Sequence, residues 1–199
     1  MRLYTALLSL VFLAWATAAQ AQARNLTNEG NVLLINITYG LQMPGGDLSD
    51  RFGENFVIAI QPELVTEGNN FILGLDGQYL FGSEVKQDVL FNLRTNEGFI
   101  IGNDRNPADI QLRQRGFYLG AHLGKLFSLS ANNPRSGIRL TLGAGLLQHK
   151  IRVQDDPQRV VPQLLDEYKK GYDRLTNGLA LQQFIGYQSL GINRRLNFY

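Results

Sequence analysis

The chain has 199 residues, a formal net charge of +2 and no cysteine. Its length fits one domain, and the 19 basic and 17 acidic residues are nearly balanced and spread along the chain, which argues against nucleic acid as a partner. The absence of cysteine excludes disulfides, thiolate metal sites and cysteine nucleophiles.

The amino-terminal segment has the pattern of a cleaved export signal. Arg2 supplies a positive charge, Ala6–Trp15 is an apolar run, and Ala19–Ala23 offers the small residues that signal peptidase requires. The apolar run is far shorter than the roughly 20 residues of a spanning helix. We therefore predict a signal peptide at 1–23 and one mature domain at 24–199. No later apolar run is long enough for a spanning helix, so a membrane-bound mature chain would have to cross the bilayer with strands.

Six segments of the mature chain alternate apolar residues with polar or small ones, which is the pattern of strands with one apolar face. In the first segment Leu33, Ile35 and Ile37 share one face, and Asn36 and Thr38 share the other. The segments are 33–43, 55–64, 71–81, 117–124, 138–149 and 179–188. Each is close to the length at which a tilted strand crosses the hydrocarbon layer.

The connections between these segments alternate between short and long. The short connections are 66–70, 130–136 and 191–195, and the long ones are 44–54, 82–115 and 153–178. Short turns on one rim and long loops on the other are typical of outer-membrane barrels, in which the short rim faces the periplasm.

Aromatic residues fall near both ends of the apolar faces, which predicts two interfacial girdles. The predicted outer-rim aromatics are Tyr39, Phe56, Tyr79, Phe81 and Phe117, and the inner-rim aromatics are Phe71, Phe127 and Tyr187. The strands of a soluble periplasmic barrel of the lipocalin type also alternate apolar and polar residues, but their apolar face points inward. The repeated Gly, Asn, Gln and Thr positions on the other face fit a narrow polar lumen better than a surface in water.

With these patterns the chain resembles the small bacterial outer-membrane β-barrel family, whose members have about eight strands. The segment Pro44–Leu48 followed by Asp50–Gly53 is similar to the first loop of outer-membrane barrels from gliding and gut-type Gram-negative bacteria. The resemblance implies an all-β, antiparallel, up-and-down transmembrane barrel in the outer membrane, assembled by the insertion machinery, with no cofactor and no metal. Six strands and the start of a seventh at Leu196–Tyr199 fall short of eight, so we expect the native reading frame to continue with the last one or two strands.

Two polar residues are candidates for a site inside the predicted lumen. A hairpin that pairs Phe81 with Phe117 would place Asp76 opposite His122 at mid-height. One hypothesis is a polar pair that fills a narrow barrel, and the other is the general-base pair of a lipid-modifying enzyme. The enzyme hypothesis also needs a serine on the same wall, and the nearby serines lie beyond the strand ends. We therefore predict no enzymatic activity.

Glu63 and Arg139 fall near the periplasmic rim, and we expect them to pair across the lumen. Because eight strands enclose a space that side chains fill, a diffusion pore is disfavoured.

The long loops predict either a surface for an extracellular or envelope protein, or strand extensions shielded by lipopolysaccharide. The leading hypothesis is a non-enzymatic outer-membrane barrel with a role in surface interaction or envelope integrity, in contact with outer-membrane lipid and lipopolysaccharide. The alternatives are the lipid-modifying enzyme and the soluble periplasmic binding barrel. Ligand, transport substrate, exact strand number and oligomeric state stay open.

Overall fold

A computed structural model describes residues 30–130, 133–191 and 197–198 of the chain. The predicted signal peptide at 1–23 lies outside these described residues. The strands are β1 (Val32–Gln42), β2 (Asn55–Val65), β3 (Phe71–Gly82), β4 (Ile100–Ile101), β5 (Pro107–Ala108), β6 (Gln111–Ser128), β7 (Ser136–Gln154), β8 (Thr176–Leu190) and β9 (Asn197–Phe198). The short helices are α1 (Asp47–Arg51) and α2 (Asp166–Lys169), with 3₁₀ turns at Phe91–Leu93 and Pro162–Leu164.

The main sheet contains all strands except the β4–β5 hairpin, and every neighbouring pair in it is antiparallel. Its strand order is β1-β2-β3-β6-β7-β8-β9. The six segments predicted from the sequence correspond to β1, β2, β3, β6, β7 and β8. The prediction of an antiparallel all-β fold is therefore confirmed. Strands β6 and β7 are longer than predicted at both ends, and most of the added length lies on the long-loop side, after the apolar alternation has ended.

The sheet is strongly curled, but the described strands do not close it into a barrel. No ladder joins β1 to β8 or β9 within the part of the chain that the structure describes. The curl is visible in side-chain contacts between distant strands: Glu63 on β2 contacts Arg139 on β7, and Val32 on β1 belongs to the same apolar cluster as Leu190 on β8. The predicted start of a seventh strand corresponds to β9, which pairs with the end of β8.

The convex face of the curled sheet is apolar and exposed. Leu33 and Ile35 on β1 are each 68% exposed, and Leu142 on β7 is 54% exposed. The concave face carries the alternate residues, which are polar and buried along the middle of the strands. Its buried polar members are Asn55, Glu63, Asp76, Gln114, His122, Arg139, Thr141, His149 and Gln188. A single period-two alternation therefore produces an inverted distribution of polarity, with apolar side chains outside and charges inside.

Apolar clusters lie at both ends of the polar interior. At the short-turn end the cluster consists of Val32, Leu34, Val65, Ile72, Leu126 and Leu190. At the long-loop end, the buried members are Leu90, Ile100, Ala108, Ile110, Val153, Val161 and Leu164. The second cluster joins the β4–β5 hairpin to the ends of β6 and β7 and to the 3₁₀ turn at Pro162–Leu164. The long loops thus have an apolar core of their own, which the hydrophobic effect stabilises as it does in a water-soluble domain.

Candidate functional site

The concave face holds a buried cluster of charged and polar side chains towards the short-turn end. Arg139 on β7 donates two hydrogen bonds to Glu63 on β2, from Nη1 to Oε1 at 2.8 Å and from Nη2 to Oε2 at 2.5 Å. The same Nη1 atom donates to Oε1 of Gln188 on β8 at 3.1 Å. His122 on β6 adds its Nε2 atom at 3.3 Å from Oε2 of Glu63. Glu63 is only 1% exposed and Arg139 only 3%. The structure therefore brings together the two lumenal charges named from the sequence.

The expected opposition of Asp76 and His122 is wrong. In the ladder between β3 and β6, Phe117 pairs with Tyr79 instead of Phe81. Asp76 consequently lies opposite Gly120, and His122 lies opposite Gly74. The physical reason is that a slip of two residues leaves every side chain on the same face, so alternation cannot distinguish the two registers.

Gly74 explains why His122 reaches Glu63. A Cβ atom at position 74 would lie 2.5 Å from the Cε1 and Nε2 atoms of the imidazole ring, which is closer than packing allows. Only glycine leaves room for the ring to cross β3 towards β2. A similar relationship holds nearby, where a Cβ atom at Gly120 would lie 2.3 Å from Oη of Tyr118. Glycines of the concave face thus leave room for large side chains from the same strand or the neighbouring one.

Asp76 belongs to a separate group of amides. Its Oδ2 atom accepts from Nε2 of Gln61 at 3.0 Å and from Nε2 of Gln78 at 3.1 Å. Gln61 lies beside Pro62, where the ladder between β2 and β3 is interrupted, since proline has no backbone N–H to donate. Asp76 and His122 both line a polar cavity of about 490 Å³ on the concave face. The cavity is also lined by Gln42, Gln61, Gln78, Gln182 and Gln183.

The aromatic residues named from the sequence all lie on the convex face. Tyr39, Phe56, Phe81 and Tyr79 form a continuous stack across β1, β2 and β3, with ring centroids 5.7 to 5.9 Å apart. Phe117 follows on β6, directly opposite Tyr79.

A second aromatic group lies at the short-turn end of the convex face. The Nζ atom of Lys125 lies 5.3 Å from the ring centroid of Phe71 and 5.7 Å from that of Phe127. Tyr187 completes this group, with its hydroxyl 2.7 Å from Oγ of Ser136. The contribution of Lys125 was not anticipated, although its place in the alternation puts it on the same face.

The long loops are fixed by a carboxylate as well as by their apolar cluster. Asp156 is 9% exposed and accepts backbone N–H groups of Asp109 at 3.0 Å and Gln158 at 2.8 Å. These hydrogen bonds, together with the Arg159 guanidinium at 3.6 Å, hold the pKa of Asp156 below its usual value. A loop-to-loop contact of this kind could not be derived from alternation, because neither loop is periodic.

Neither a metal-binding group of side chains nor a similarity to known proteins assigns a function to the described residues. Within residues 30–130, 133–191 and 197–198, no group of three or more His, Asp or Glu side chains could hold a metal ion. Over those same residues, no helix is both long enough and apolar enough to cross a membrane. Comparison with protein-family models, with curated proteins and with solved structures finds no match. A functional proposal must therefore come from the polarity and geometry of the chain itself.

Proposed function

We propose that the chain is an outer-membrane β-barrel protein with a non-enzymatic role at the cell surface. In this proposal the convex face contacts lipid, and the short turns face the periplasm. The long loops then lie outside the cell, where they bind an extracellular or envelope protein or maintain the integrity of the envelope.

The inverted polarity of the sheet carries this proposal. A globular protein in water buries apolar side chains and almost never buries Glu or Arg unless they are paired. Here Leu181 is 78% exposed and Ile37 is 76% exposed, whereas the buried face of the same sheet carries polar side chains such as Asp76 and Gln114. Exposed apolar surface that extends over all six long strands is far larger than the patches of soluble monomers. Lipid acyl chains are the solvent that makes such a face favourable.

The proposal requires the sheet, which is open over the described strands, to be closed in the membrane. In hydrocarbon each unpaired backbone N–H or C=O group costs several kcal/mol, so β1 and β9 require partners. In the proposed barrel these two edges are paired, as in barrels of about eight strands. The Glu63–Arg139 pair and the apolar cluster at the short-turn end would then fill the interior, so the proposal does not include a diffusion pore.

The absence of cysteine makes a direct test possible, because single-cysteine variants need no background substitutions. Ile35→Cys and Leu142→Cys place a thiol on the convex face, and Thr141→Cys places one in the concave cavity. Each variant is labelled with bimane and folded into phosphatidylcholine vesicles with plain or brominated acyl chains. We expect strong quenching at positions 35 and 142 and weak quenching at 141.

The same experiment separates the alternatives. A soluble periplasmic barrel would remain in solution without vesicles or detergent, and no position would be quenched by brominated lipid. That outcome would refute the proposal. The lipid-modifying alternative requires Asp76 beside His122, and the observed register separates them, so no observation favours it.

A further inference from the structure

Four basic side chains form two facing pairs on the convex face, at the long-loop end of β6 and β7. Arg115 lies opposite Lys150, and Arg113 lies opposite Arg152. All four are partly or largely exposed. The next convex residue on β6 towards the short turns is Phe117, which is 46% exposed. We call these four residues the cationic patch. On β6 it begins at the first convex residue after the exposed apolar face ends.

Like charges directly opposite each other destabilise a sheet, so the patch needs a source of negative charge. Among the described residues, the acidic side chain within ion-pair distance of the patch is Asp173, whose Oδ2 lies 3.7 Å from Nζ of Lys150. Arg113 donates instead to the neutral amides of Gln154 and Gln111. Arg115 donates to a backbone carbonyl. The patch thus keeps most of its positive charge.

The dimensions of the patch suit phosphate groups. Neighbouring strands lie about 4.8 Å apart and alternate residues about 7 Å apart along a strand, so the four Cα atoms mark a small rectangle. Guanidinium groups bind phosphate oxygens in a bidentate manner, and three of the four residues are arginines. Lys150 and Arg152 also line a groove with Lys169 and Lys170, at the end of α2, and with Asp155 and Asp173. These two lysines and two aspartates balance each other, so the positive charge is that of the rectangle itself.

The surroundings favour a lipid over a soluble anion. Phe117 lies immediately on the short-turn side of Arg115 and is exposed, and exposed Leu146 lies beyond Gln148 on β7. Phe81, a member of the aromatic stack, lies opposite Arg115. A ligand with both phosphates and acyl chains can contact the cations and the apolar face together.

We infer that the cationic patch binds the phosphates of a phosphorylated lipid headgroup in the leaflet around the long-loop end. This inference rests on the proposed function, because only a membrane-embedded chain presents Phe117 and Arg115 to the same lipid.

The test compares two double variants of equal charge. Arg115→Gln/Arg152→Gln removes two cations from the patch, and Arg105→Gln/Lys125→Gln removes one from a loop and one from the opposite end of β6. Every protein carries bimane at Gln148→Cys, beside the patch, and is held in uncharged maltoside micelles. The probes are lipid A with two phosphates, the same lipid after phosphatase treatment, and inorganic phosphate.

We expect the parent protein and the control variant to saturate with phosphorylated lipid A at similar concentrations. The patch variant should require about tenfold more, because two charged contacts are lost. Equal titration of the two double variants, or of phosphorylated and dephosphorylated lipid, would overturn the inference. Saturation by inorganic phosphate at the same concentration would show a general anion site and overturn the lipid assignment.

Failure of the inference can be distinguished from failure of the proposed function. The brominated-lipid assay at Leu142→Cys is run on the parent protein and on both double variants. Quenching in all three with no selectivity in the titration refutes the lipid site alone. If brominated lipid does not quench the label in the parent protein, membrane insertion is refuted, and the lipid site is refuted with it.

Discussion

Arg139 and Glu63 lie on strands that are not neighbours in the sheet, yet the guanidinium contacts both oxygens of the carboxylate, at 2.8 and 2.5 Å. Strands β3 and β6 separate them, so the pair spans the concave interior. Both side chains are almost completely buried, with exposed fractions of 3% and 1%. The ion pair therefore links β2 to β7 across the concave face and stabilises the curled shape of the sheet.

Removing one partner of this ion pair should destabilise the fold strongly. Glu63→Gln and Arg139→Gln each leave one buried charge without its partner, and we expect each to lower the free energy of unfolding by about 3–5 kcal/mol. The double variant leaves no isolated charge, so its loss should be clearly smaller than the sum of the single losses. Urea unfolding in lipid vesicles measures all three, and strictly additive losses would contradict a direct interaction.

Gly74→Ala tests the route by which His122 reaches Glu63. The added Cβ atom would lie 2.5 Å from the imidazole ring, so we expect overpacking to cost about 1–3 kcal/mol. Gly178→Ala on β8 is a matched control, since nothing lies within 4 Å of the position of its Cβ, and its effect should stay within about 0.5 kcal/mol. Adding His122→Ala to Gly74→Ala should relieve the overlap. If the two glycine variants are equally stable, the ring does not occupy this position.

The sequence predicts which residues form the long strands and which face each side chain joins, because both follow from one period-two alternation. The contact between Glu63 and Arg139 could be predicted for the same reason, since the alternation places both on the polar face towards the short turns. The partner of His122 could not be predicted. The register of β3 against β6 is set across a long connection, and alternation is unchanged by a shift of two residues. Loop contacts such as that of Asp156 with Asp109 have no periodic signal at all.

The organisation of the long loops should depend on pH through Asp156. Its folded pKa is lower than the unfolded value, so the carboxylate stabilises the loops fully above the unfolded pKa, and this stabilisation is lost as the pH falls through the folded pKa. Amide protection factors at Asp109 and Gln158, corrected for intrinsic exchange, should therefore fall as the pH is lowered from about 6 to about 3. In Asp156→Asn the factors should be low at both pH values. An unchanged pH profile in this variant would assign the effect to another carboxylate, such as Asp104.

Asp76→Asn should behave quite differently from Glu63→Gln, although both carboxylates are buried. Asp76 accepts only from the amides of Gln61 and Gln78, and within the described residues no ion pair involves it. Substitution by asparagine removes a charge that forms no ion pair within the described residues, and either glutamine can turn its amide oxygen towards the new amide. We therefore expect the free energy of unfolding to change by less than about 1 kcal/mol. The lipid composition of cells expressing the variant should match that of cells expressing the parent, since no nucleophile is assigned to this carboxylate. A loss comparable to that of Glu63→Gln would mean that Asp76 has a charged partner, and a missing lipid product would revive the enzyme hypothesis.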